Sequence, residues 1–346
     1  MSRDVYWRNH NVPIIELKFP YRNVPWVRNL GTVISSLNQL KNFDIIHSHY
    51  YPAVLAGGLA ETLWKIPHIF TFHGFAPLYG WQNSIQTLKM VEGRIGTFLG
   101  LRRLDHVITV SNFLKRILIE SYFYRGNISI IPNGVDIKRF NPKVDRAIVR
   151  KRYNLENAPL VLFLGRLVPY KGVRYLLEAV PYVLREVPNV KFMIAGAPRY
   201  EKLNYQRQVE QMGLRASVLF AGFIAEEELS NCYAACDIFC FPSLWEGFGL
   251  PAIEAMACEK PVVAFRDHGV QEIVEDGKTG SLAEPRNVKE LAEAIINLLQ
   301  DENLRRKMGQ RGREKVIQNY TWDIIAEKTL KLYENLLELK LEKNES

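Results

Sequence analysis

The chain has 346 residues, of which 47% are apolar and 24% charged, and its formal net charge is +8. This length predicts two domains of roughly 150 residues each, and the composition is that of a globular protein. No run of about 18 uninterrupted apolar residues occurs, which argues against a membrane-spanning helix. The first residues show no signal-peptide pattern.

Strands and helices alternate through the first 140 residues. Continuously apolar strands are predicted at Val12–Phe19, Asp44–His47, His68–Phe72, His106–Val110 and Ile128–Ile131. Helices are predicted at Val27–Leu40, Pro52–Trp64, Gln82–Leu104 and Asn112–Phe123. This alternation predicts a parallel α/β sheet that is covered on both faces.

The polar segment Asn141–Pro159 is predicted to connect this domain to a second one. Further strands are predicted at Leu160–Gly165, Val190–Ala195, Val218–Phe220, Ile238–Phe241 and Pro261–Phe265, with helices between them. The tail is predicted to be helical from Val288 onward. We therefore expect domains at residues 1–140 and 141–324, and a helix at 325–346 that returns to the first domain.

The positive charge is concentrated in the first domain. Residues 1–140 contain 16 Lys and Arg against 8 Asp and Glu, whereas the remaining residues contain 29 of each. Chance can produce such an imbalance, but it also predicts an anionic partner such as an acidic membrane, a lipid phosphate or a nucleic acid. No nucleic-acid recognition motif is present. The basic, aromatic segments Tyr21–Arg28 and Arg102–Arg125 are candidate membrane surfaces.

Four cysteines, Cys232, Cys236, Cys240 and Cys258, lie in one region. The first two have helical spacing, the third falls in the next strand, and no histidine flanks the group. Buried, reduced thiols therefore explain the pattern better than zinc or disulfides, and they favour a cytoplasmic location.

The stretch from Asp237 to Lys260 predicts a strand, a turn and a helix that begins near Leu250 with Pro251 in its first turn. The first amides of such a helix lack partners and favour an anion such as a diphosphate. Carboxylates at Glu246 and Glu254 would accept hydrogen bonds from the hydroxyls of the same ligand. Together these features predict a nucleotide-sugar site.

Two other interpretations of this stretch are open. It is compatible with an ordinary strand–helix turn in which Glu246 caps and Glu254 is solvated. Gly247, Gly249 and Ala252 also fit a dinucleotide fingerprint, with Asp267 after the next strand. That fingerprint normally follows the first strand of its domain, and this one comes late.

Glu246 and Glu254 are separated by seven residues, with FGLP and EAMA around the second Glu and KPVVA after it. This pattern resembles the signature of the family 4 (group 1) glycosyltransferases of the GT-B fold, and the resemblance covers nearly the whole chain. It implies two Rossmann-like domains facing across a cleft. It also implies a hexosyltransferase that moves a sugar, with retention, from a nucleotide-diphosphate donor to a lipid or glycan acceptor, in cell-envelope glycan or glycolipid biosynthesis.

The family's first domain usually opens with a strand, a glycine-rich loop and a helix. Here NVPIIELKFP corresponds to the third strand, so on the order of fifty residues of that opening unit are expected to be absent. Because the absent loop normally lies beside the donor and the acceptor, a non-catalytic nucleotide-sugar-binding subunit is an alternative. A nucleotide-sugar epimerase of the same fold is another.

Arg166 and Lys171, in the segment GRLVPYKG, suit phosphate oxygens, although a solvated loop would have the same composition. The resemblance assigns both to the donor diphosphate. His47, His49 and His73 follow two strands, where ligands bind in open sheets. Three histidines also suit a metal, or are simply hydrogen-bonded in loops. The resemblance assigns His73 alone to the donor sugar and to catalysis.

The resemblance assigns further roles residue by residue. Glu246 lies near the donor sugar and is catalytic, and Glu254 accepts from the ribose diol. Backbone amides come from Gly247, Phe248, Gly249 and Leu250. Asn133 is interdomain or donor-facing, and Ser111 is a structural helix cap. Glu259 departs from the family, which usually has Gly there.

No two aspartates are separated by a single residue, so the D-x-D metal site of the other large glycosyltransferase fold is absent. We expect no metal and no cofactor. Arg166, Lys171 and helix amides would stabilise the leaving diphosphate instead. No carboxylate is assigned as a nucleophile, and the family expectation is a front-face reaction. If the charge is functional, the excess Lys and Arg are expected on one face beside the cleft.

Overall fold

The computed structural model describes residues 33–34, 36–37, 39–75, 84–197 and 204–345, without the side chains of residues 84–86 and 343–345. The predicted strand Val12–Phe19, the segment Tyr21–Arg28, the start of the predicted helix Val27–Leu40 and the expected absence of an opening unit lie outside these residues.

The first domain contains a parallel sheet in the order β1-β2-β3-β4. The strands are β1 Ile46–His49, β2 His68–Phe72, β3 His106–Thr109 and β4 Asn127–Ile130, and the helices are α1 Ala53–Trp64, α2 Ser84–Leu101 and α3 Asn112–Ser121. One face of the sheet shares a core with Leu101 of α2 and Leu114 of α3. The predicted alternation of strands and helices is confirmed here.

The second domain contains six parallel strands in the order β7-β6-β5-β8-β9-β10. They are β5 Leu160–Leu164, β6 Lys191–Ala195, β7 Val218–Gly222, β8 Ile238–Phe241, β9 Val262–Phe265 and β10 Gly280–Ala283. The chain order reverses between β5 and β8. In open parallel sheets, ligands bind at the carboxyl end of such a reversal.

Helices cover both faces of this sheet and continue to the end of the described chain. They are α4 Ala147–Arg152, α5 Val173–Glu186, α6 Tyr205–Gln211, α7 Leu229–Ala235, α8 Leu250–Ala257, α9 Val270–Ile273, α10 Val288–Gln300, α11 Glu302–Asn319 and α12 Trp322–Glu345, with short 3₁₀ helices at Pro169–Lys171 and Glu226–Glu228. The sequence interpretation missed β10, and it missed α4 inside the connecting segment.

The last helix, α12, packs on the first domain. Ile325 and Leu336 of α12 share a buried cluster with Ile69 of β2 and Ile108 of β3. The backbone amide of Val135 also donates to the carbonyl of Tyr320, at 2.8 Å, just before α12 begins. The sheet of the first domain is therefore covered on this face by the end of the chain.

All four cysteines are buried and none forms a disulfide, as the sequence predicted. Burial raises the pKa of the Cys232 thiol to about 11 and that of Cys258 to about 12, so both stay protonated at neutral pH. Among the helices that the structure describes, none has the length and apolar composition needed to cross a bilayer.

Candidate active site between the two sheets

The carboxyl edges of the two sheets face each other. Ser111, which follows β3, donates from its hydroxyl to the carbonyl of Gly247 in the turn after β8, at 2.6 Å. Gly74, two residues after β2, lies against the indole of Trp245. Most of the predicted site residues follow strands, so this arrangement places those of the first domain and those of the second along one cleft.

Lys171 and Glu246 form an ion pair, with side chains only 11% and 12% exposed. Lys171 ends the 3₁₀ helix Pro169–Lys171, and Gly172 then turns the chain into α5 with φ of 72°. A Cβ at Gly172 would lie 1.8 Å from the carbonyl oxygen of Pro242, so only glycine allows this approach. The Lys171 ammonium also lies 5.4 Å from the ring centre of Phe241. Lys171 and Glu246 are thus a largely desolvated pair of opposite charges at the carboxyl edge of the second sheet.

Arg166 lies at a separate part of the same edge. Its guanidinium donates to the hydroxyl of Tyr170, at 2.7 Å. It lines a cavity of about 610 Å³ together with Gly165, Gly196 and Glu226, at the carboxyl ends of β5 and β6. This cavity is large enough for part of a small organic ligand, and Arg166 is its cationic wall.

The first turn of α8 has no capping side chain. Gly249 occupies the cap position with φ of 116°, and Pro251 follows in the first turn. Leu250 is 42% exposed, whereas Phe248 is buried with its ring edge-on to Tyr320, at 5.8 Å between ring centres. The Phe248 side chain therefore packs against Tyr320 inside the protein. Only its backbone amide is available for the predicted contact with the donor.

Glu254 lies about one turn into α8. Its Oε2 accepts from the hydroxyl of Tyr233 on α7, at 2.7 Å. Burial raises the pKa of Glu254 to about 7, because the surrounding core disfavours its charged form. Oε2 is thus occupied by a hydrogen bond within the protein, whereas Oε1 accepts none from the described residues.

The three predicted histidines form a continuous group on the first domain. Nδ1 of His49 and Nε2 of His73 are 3.0 Å apart. His47 lies between the hydroxyls of Thr71 and Tyr333, at 2.7 and 2.5 Å. Burial is the main reason that the pKa of His47 falls to about 3 and that of His73 to about 4, so both are neutral at pH 7.

These histidines line a cavity of about 420 Å³ between the first sheet and α12. Asn133 also lines it, whereas its other walls are largely apolar and include Trp322 and Ile325 of α12. The structure therefore brings His73 and Asn133 together, and it places Arg166 in a different cavity. The catalytic and binding roles assigned to these residues stay predictions.

A second contact between the domains is made by Glu272 of α9. Its carboxylate accepts from the backbone amides of Asn112 and Phe113, both at 2.8 Å, and from the Asn112 side-chain amide at 3.0 Å. The Phe113 ring also stacks on His268, with ring centres 4.2 Å apart. Glu272 thereby caps a helix that belongs to the other domain.

The sequence interpretation missed Tyr233, Tyr333 and Glu272. Tyr233 stands one helical turn before a strand in a cysteine-rich helix, and no local pattern distinguishes it from a core residue. Tyr333 and Glu272 act across domains, where sequence periodicity carries no signal. Asp267, the acidic residue of the dinucleotide interpretation, pairs with the ring of the neighbouring His268 at 2.8 Å. The glycines of that interpretation follow β8, the fourth strand of the second domain, whereas a dinucleotide fingerprint normally follows the first.

Two family models match the chain. Residues 145–315 match the model described as "Glycosyl transferases group 1", and residues 3–139 match the model described as "Glycosyltransferase Family 4". The two matches divide the chain at the same connecting segment that separates the two sheets.

Similar proteins cover most of the chain. A GDP-mannose-dependent alpha-(1-6)-phosphatidylinositol monomannoside mannosyltransferase of Mycolicibacterium smegmatis is 33% identical, over 84% of this chain and 77% of that protein. A D-inositol 3-phosphate glycosyltransferase of Corynebacterium jeikeium is 32% identical, over 85% and 73%. The structure of a sucrose-phosphate synthase from Thermosynechococcus elongatus superposes with a TM-score of 0.79 at 26% identity, covering 95% of this chain and 87% of that one.

Proposed function

The chain belongs to the group 1 glycosyltransferases, with the GT-B fold, and we propose that it moves a sugar from a nucleotide-diphosphate donor to a phosphorylated lipid or glycan acceptor. The buried Lys171–Glu246 pair beside the uncapped start of α8 carries this proposal. It places a cation and a carboxylate that accepts hydrogen bonds next to backbone amides without a capping side chain.

The donor diphosphate is proposed to lie at the first turn of α8, within reach of Lys171. The helix amides and the ammonium would stabilise the charge that develops on the leaving phosphate. Arg166, on the wall of the neighbouring cavity, would hold the remainder of the donor. With these groups, departure of the diphosphate requires no metal ion, and we propose a metal-independent reaction without a cofactor.

The sugar is proposed to lie between Glu246 and His73. His73 is neutral at pH 7 because burial lowers its pKa to about 4, so it can donate or accept a hydrogen bond without adding a charge. Retention of configuration would follow if the acceptor attacks from the face that the diphosphate leaves. In that case the leaving phosphate helps to take the acceptor proton.

The acceptor is proposed to be anionic and to bind on the first domain. Both sequence relatives are named for an inositol that carries phosphate, and the first domain holds the entire positive excess of the chain. A lipid acceptor would place the enzyme at the inner face of a membrane, in the synthesis of cell-envelope glycans or glycolipids. Peripheral contact with anionic lipid and a cytoplasmic location are part of this proposal.

Transfer from a radiolabelled nucleotide-diphosphate sugar tests the proposal. With inositol phosphates or phosphatidylinositol added as acceptors, a labelled glycosylated product should form. Without an acceptor, the label should stay on the donor. The Lys171→Ala variant should lose transfer, whereas Lys191→Ala, at the opposite edge of the second sheet, should retain it.

The two alternatives give different products. A nucleotide-sugar epimerase would release free nucleotide without any acceptor. A non-catalytic binding subunit would bind the donor, seen by calorimetry, and give no turnover with any acceptor. Either result would contradict the proposed sugar transfer and favour the corresponding alternative.

A further inference from the structure

The outward side of α2 is apolar. Leu88, Ile95 and Leu99 are 68%, 55% and 52% exposed. Their spacing of seven and four residues puts them in one line along the helix. On a surface helix this line is normally polar. Three aliphatic side chains in the middle of the solvent side therefore call for a partner.

The inward side of α2 explains this orientation. Gly96 lies against the Tyr51 ring, and Gly100 lies against Val54 of α1. Small residues at these two positions let α2 approach Tyr51 and Val54 closely, and Leu88, Ile95 and Leu99 lie on the other side of the helix. The exposed line thus follows from the way α2 packs on α1.

A basic, aromatic depression adjoins the end of α2. It has a volume of about 470 Å³, and its walls include Phe98, Arg102, Tyr122, Phe123 and Arg125. Phe123 is 69% exposed and has a φ of 53°, which non-glycine residues rarely adopt. The Arg102 guanidinium lies 4.7 Å from the ring centre of Phe98. Among the described residues, neither arginine of the depression forms an ion pair.

We infer that this flank docks on an anionic lipid bilayer. The flank is defined by the apolar line Leu88, Ile95 and Leu99 together with Phe123, Arg102 and Arg125. The apolar side chains would enter the boundary between headgroups and acyl chains, and the two arginines would meet lipid phosphates. The biological role of this contact rests on the proposed lipid acceptor, but the evidence for it is the exposure of the apolar side chains and the charge around them.

The charges around the line favour an anionic surface. The one carboxylate on α2, Glu92, is engaged by the hydroxyl of Tyr51 at 3.1 Å. Lys89 on α2 is exposed, as is Arg103 just after it. Each basic residue near an anionic surface adds to the attraction, so a few that face one way suffice for weak attachment.

Several exposed cations of the first domain lie away from the cleft, and the expected clustering of the basic residues beside the cleft stays a prediction. Exposed cations precede the strands of the first sheet, at the edge opposite the cleft; they are Lys41, Lys65, Arg102, Arg103 and Arg125. The 18 residues of α2 span roughly 27 Å from the cleft edge to that opposite edge. A bilayer along this helix would therefore reach the mouth of the cleft.

Sedimentation with vesicles tests the inference. The full chain should sediment with vesicles of equal parts phosphatidylcholine and phosphatidylglycerol at low salt, and not with phosphatidylcholine alone. The Leu88→Gln, Ile95→Gln, Leu99→Gln triple variant and the Arg102→Gln, Arg125→Gln double variant should each bind at least tenfold more weakly. An unchanged melting temperature for each variant verifies that it is folded.

Matched controls lie elsewhere on the surface. Leu339→Gln with Leu341→Gln changes two exposed leucines of α12, and Arg306→Gln with Lys307→Gln removes two exposed cations of α11. Both control variants should bind like the unmodified chain. Equal loss in a control, unchanged binding of the flank variants, or no binding of the unmodified chain would overturn the inference.

The oligomeric state distinguishes a lipid surface from a protein interface, and transfer to a soluble acceptor separates failure of this inference from failure of the proposed function. If the unmodified chain is a dimer and the triple variant a monomer, with vesicle binding unchanged, the line is a protein interface and the inference is wrong. Transfer to a water-soluble inositol phosphate should be unaffected in the flank variants. Failure of that transfer in the unmodified chain would instead contradict the proposed function, because vesicle binding requires no turnover.

Discussion

Two helices begin at the cleft, α3 in the first domain and α8 in the second, and their first turns differ. At α3, the Ser111 hydroxyl accepts from the amide of Leu114 at 3.2 Å, and Glu272 accepts from the two preceding amides. At α8, Gly249 provides no capping side chain, and no acidic residue lies in the first turn. One helix start is thus occupied by the protein, and the other is left for a ligand.

The difference separates two tasks that a helix start can perform. Both carry the positive end of a helix dipole, and both favour a negative group. At α3 the negative group is a carboxylate from the other domain, so the interaction holds the two domains together. At α8 the missing cap, with Lys171 nearby, favours the anion of a substrate. Closure and donor binding therefore depend on different residues, which can be changed separately.

The largest effect is expected at the open helix start. Lys171→Ala removes a charge-assisted contact worth roughly 1.5–3 kcal/mol and leaves Glu246 as an uncompensated anion beside the phosphate site. The affinity for a nucleoside diphosphate should fall at least tenfold by calorimetric titration. Arg166→Ala should act in the same direction.

Lys191→Ala is the matched control, since this lysine lies at the start of β6 and donates to the carbonyl of Ala216. Its nucleotide affinity should equal that of the unmodified chain. An unchanged affinity in Lys171→Ala would show that the diphosphate does not bind at the start of α8. The proposed difference in role between the starts of α8 and α3 would then be wrong.

A smaller effect is expected at the closed helix start. Glu272→Ala removes a carboxylate from the dipole of α3, a contribution of about 1 kcal/mol, so kcat/KM should fall about fivefold. Glu272→Gln can still accept from the amides and should lie between the two. Nucleotide affinity should be unchanged in both variants, because Glu272 contacts α3 and not the predicted donor site.

Spin labels on the two domains give a readout that lost stability alone would not produce. In Glu272→Ala the distribution of interdomain distances should broaden towards longer values. Glu284→Gln, an exposed carboxylate of the same domain, serves as the control. A distribution identical to that of the unmodified chain would show that Glu272 does not hold the domains together.

The open helix start was predictable from sequence because all its parts are local. The apolar run before the turn, the glycines and Pro251 lie within a short segment, and each has a position-specific meaning. The contact at α3 was not predictable. Glu272 and Asn112 are 160 residues apart, and no periodicity connects a short helix in one domain to a helix start in the other.

Other misses have equally physical causes. Strand β10, Gly280–Ala283, has the sequence GSLA, whose residues have little intrinsic strand preference, and it forms because β9 offers a free parallel edge. The helix around α2 was predicted, but α2 is apolar on several sides. The contacts of Gly96 with Tyr51 and of Gly100 with Val54, together with burial of Leu101, orient α2 so that Leu88, Ile95 and Leu99 face outward.

The smallest effect concerns the second turn of α8, where Glu254 is expected to accept from the ribose diol. Glu254→Gln retains the size of the side chain and its ability to accept from Tyr233, but it loses the charge. The affinity for a ribonucleotide should fall about threefold, and the affinity for its 2′-deoxy analogue should fall less. Glu186→Gln, an exposed carboxylate at the end of α5, should leave both affinities unchanged.

The pH dependence sharpens this test. Because burial raises the pKa of Glu254 to about 7, its charged fraction grows between pH 6 and pH 8, and the preference for the ribonucleotide should grow with it. In Glu254→Gln the preference should stay flat. Stability changes in the opposite sense. Because the pKa of Glu254 is raised from 4.5 to about 7, the unmodified chain should lose stability relative to Glu254→Gln as the pH rises from 4.5 to about 7. Equal losses of affinity for the two nucleotides at every pH would show that Glu254 is a buried core carboxylate without a ligand contact.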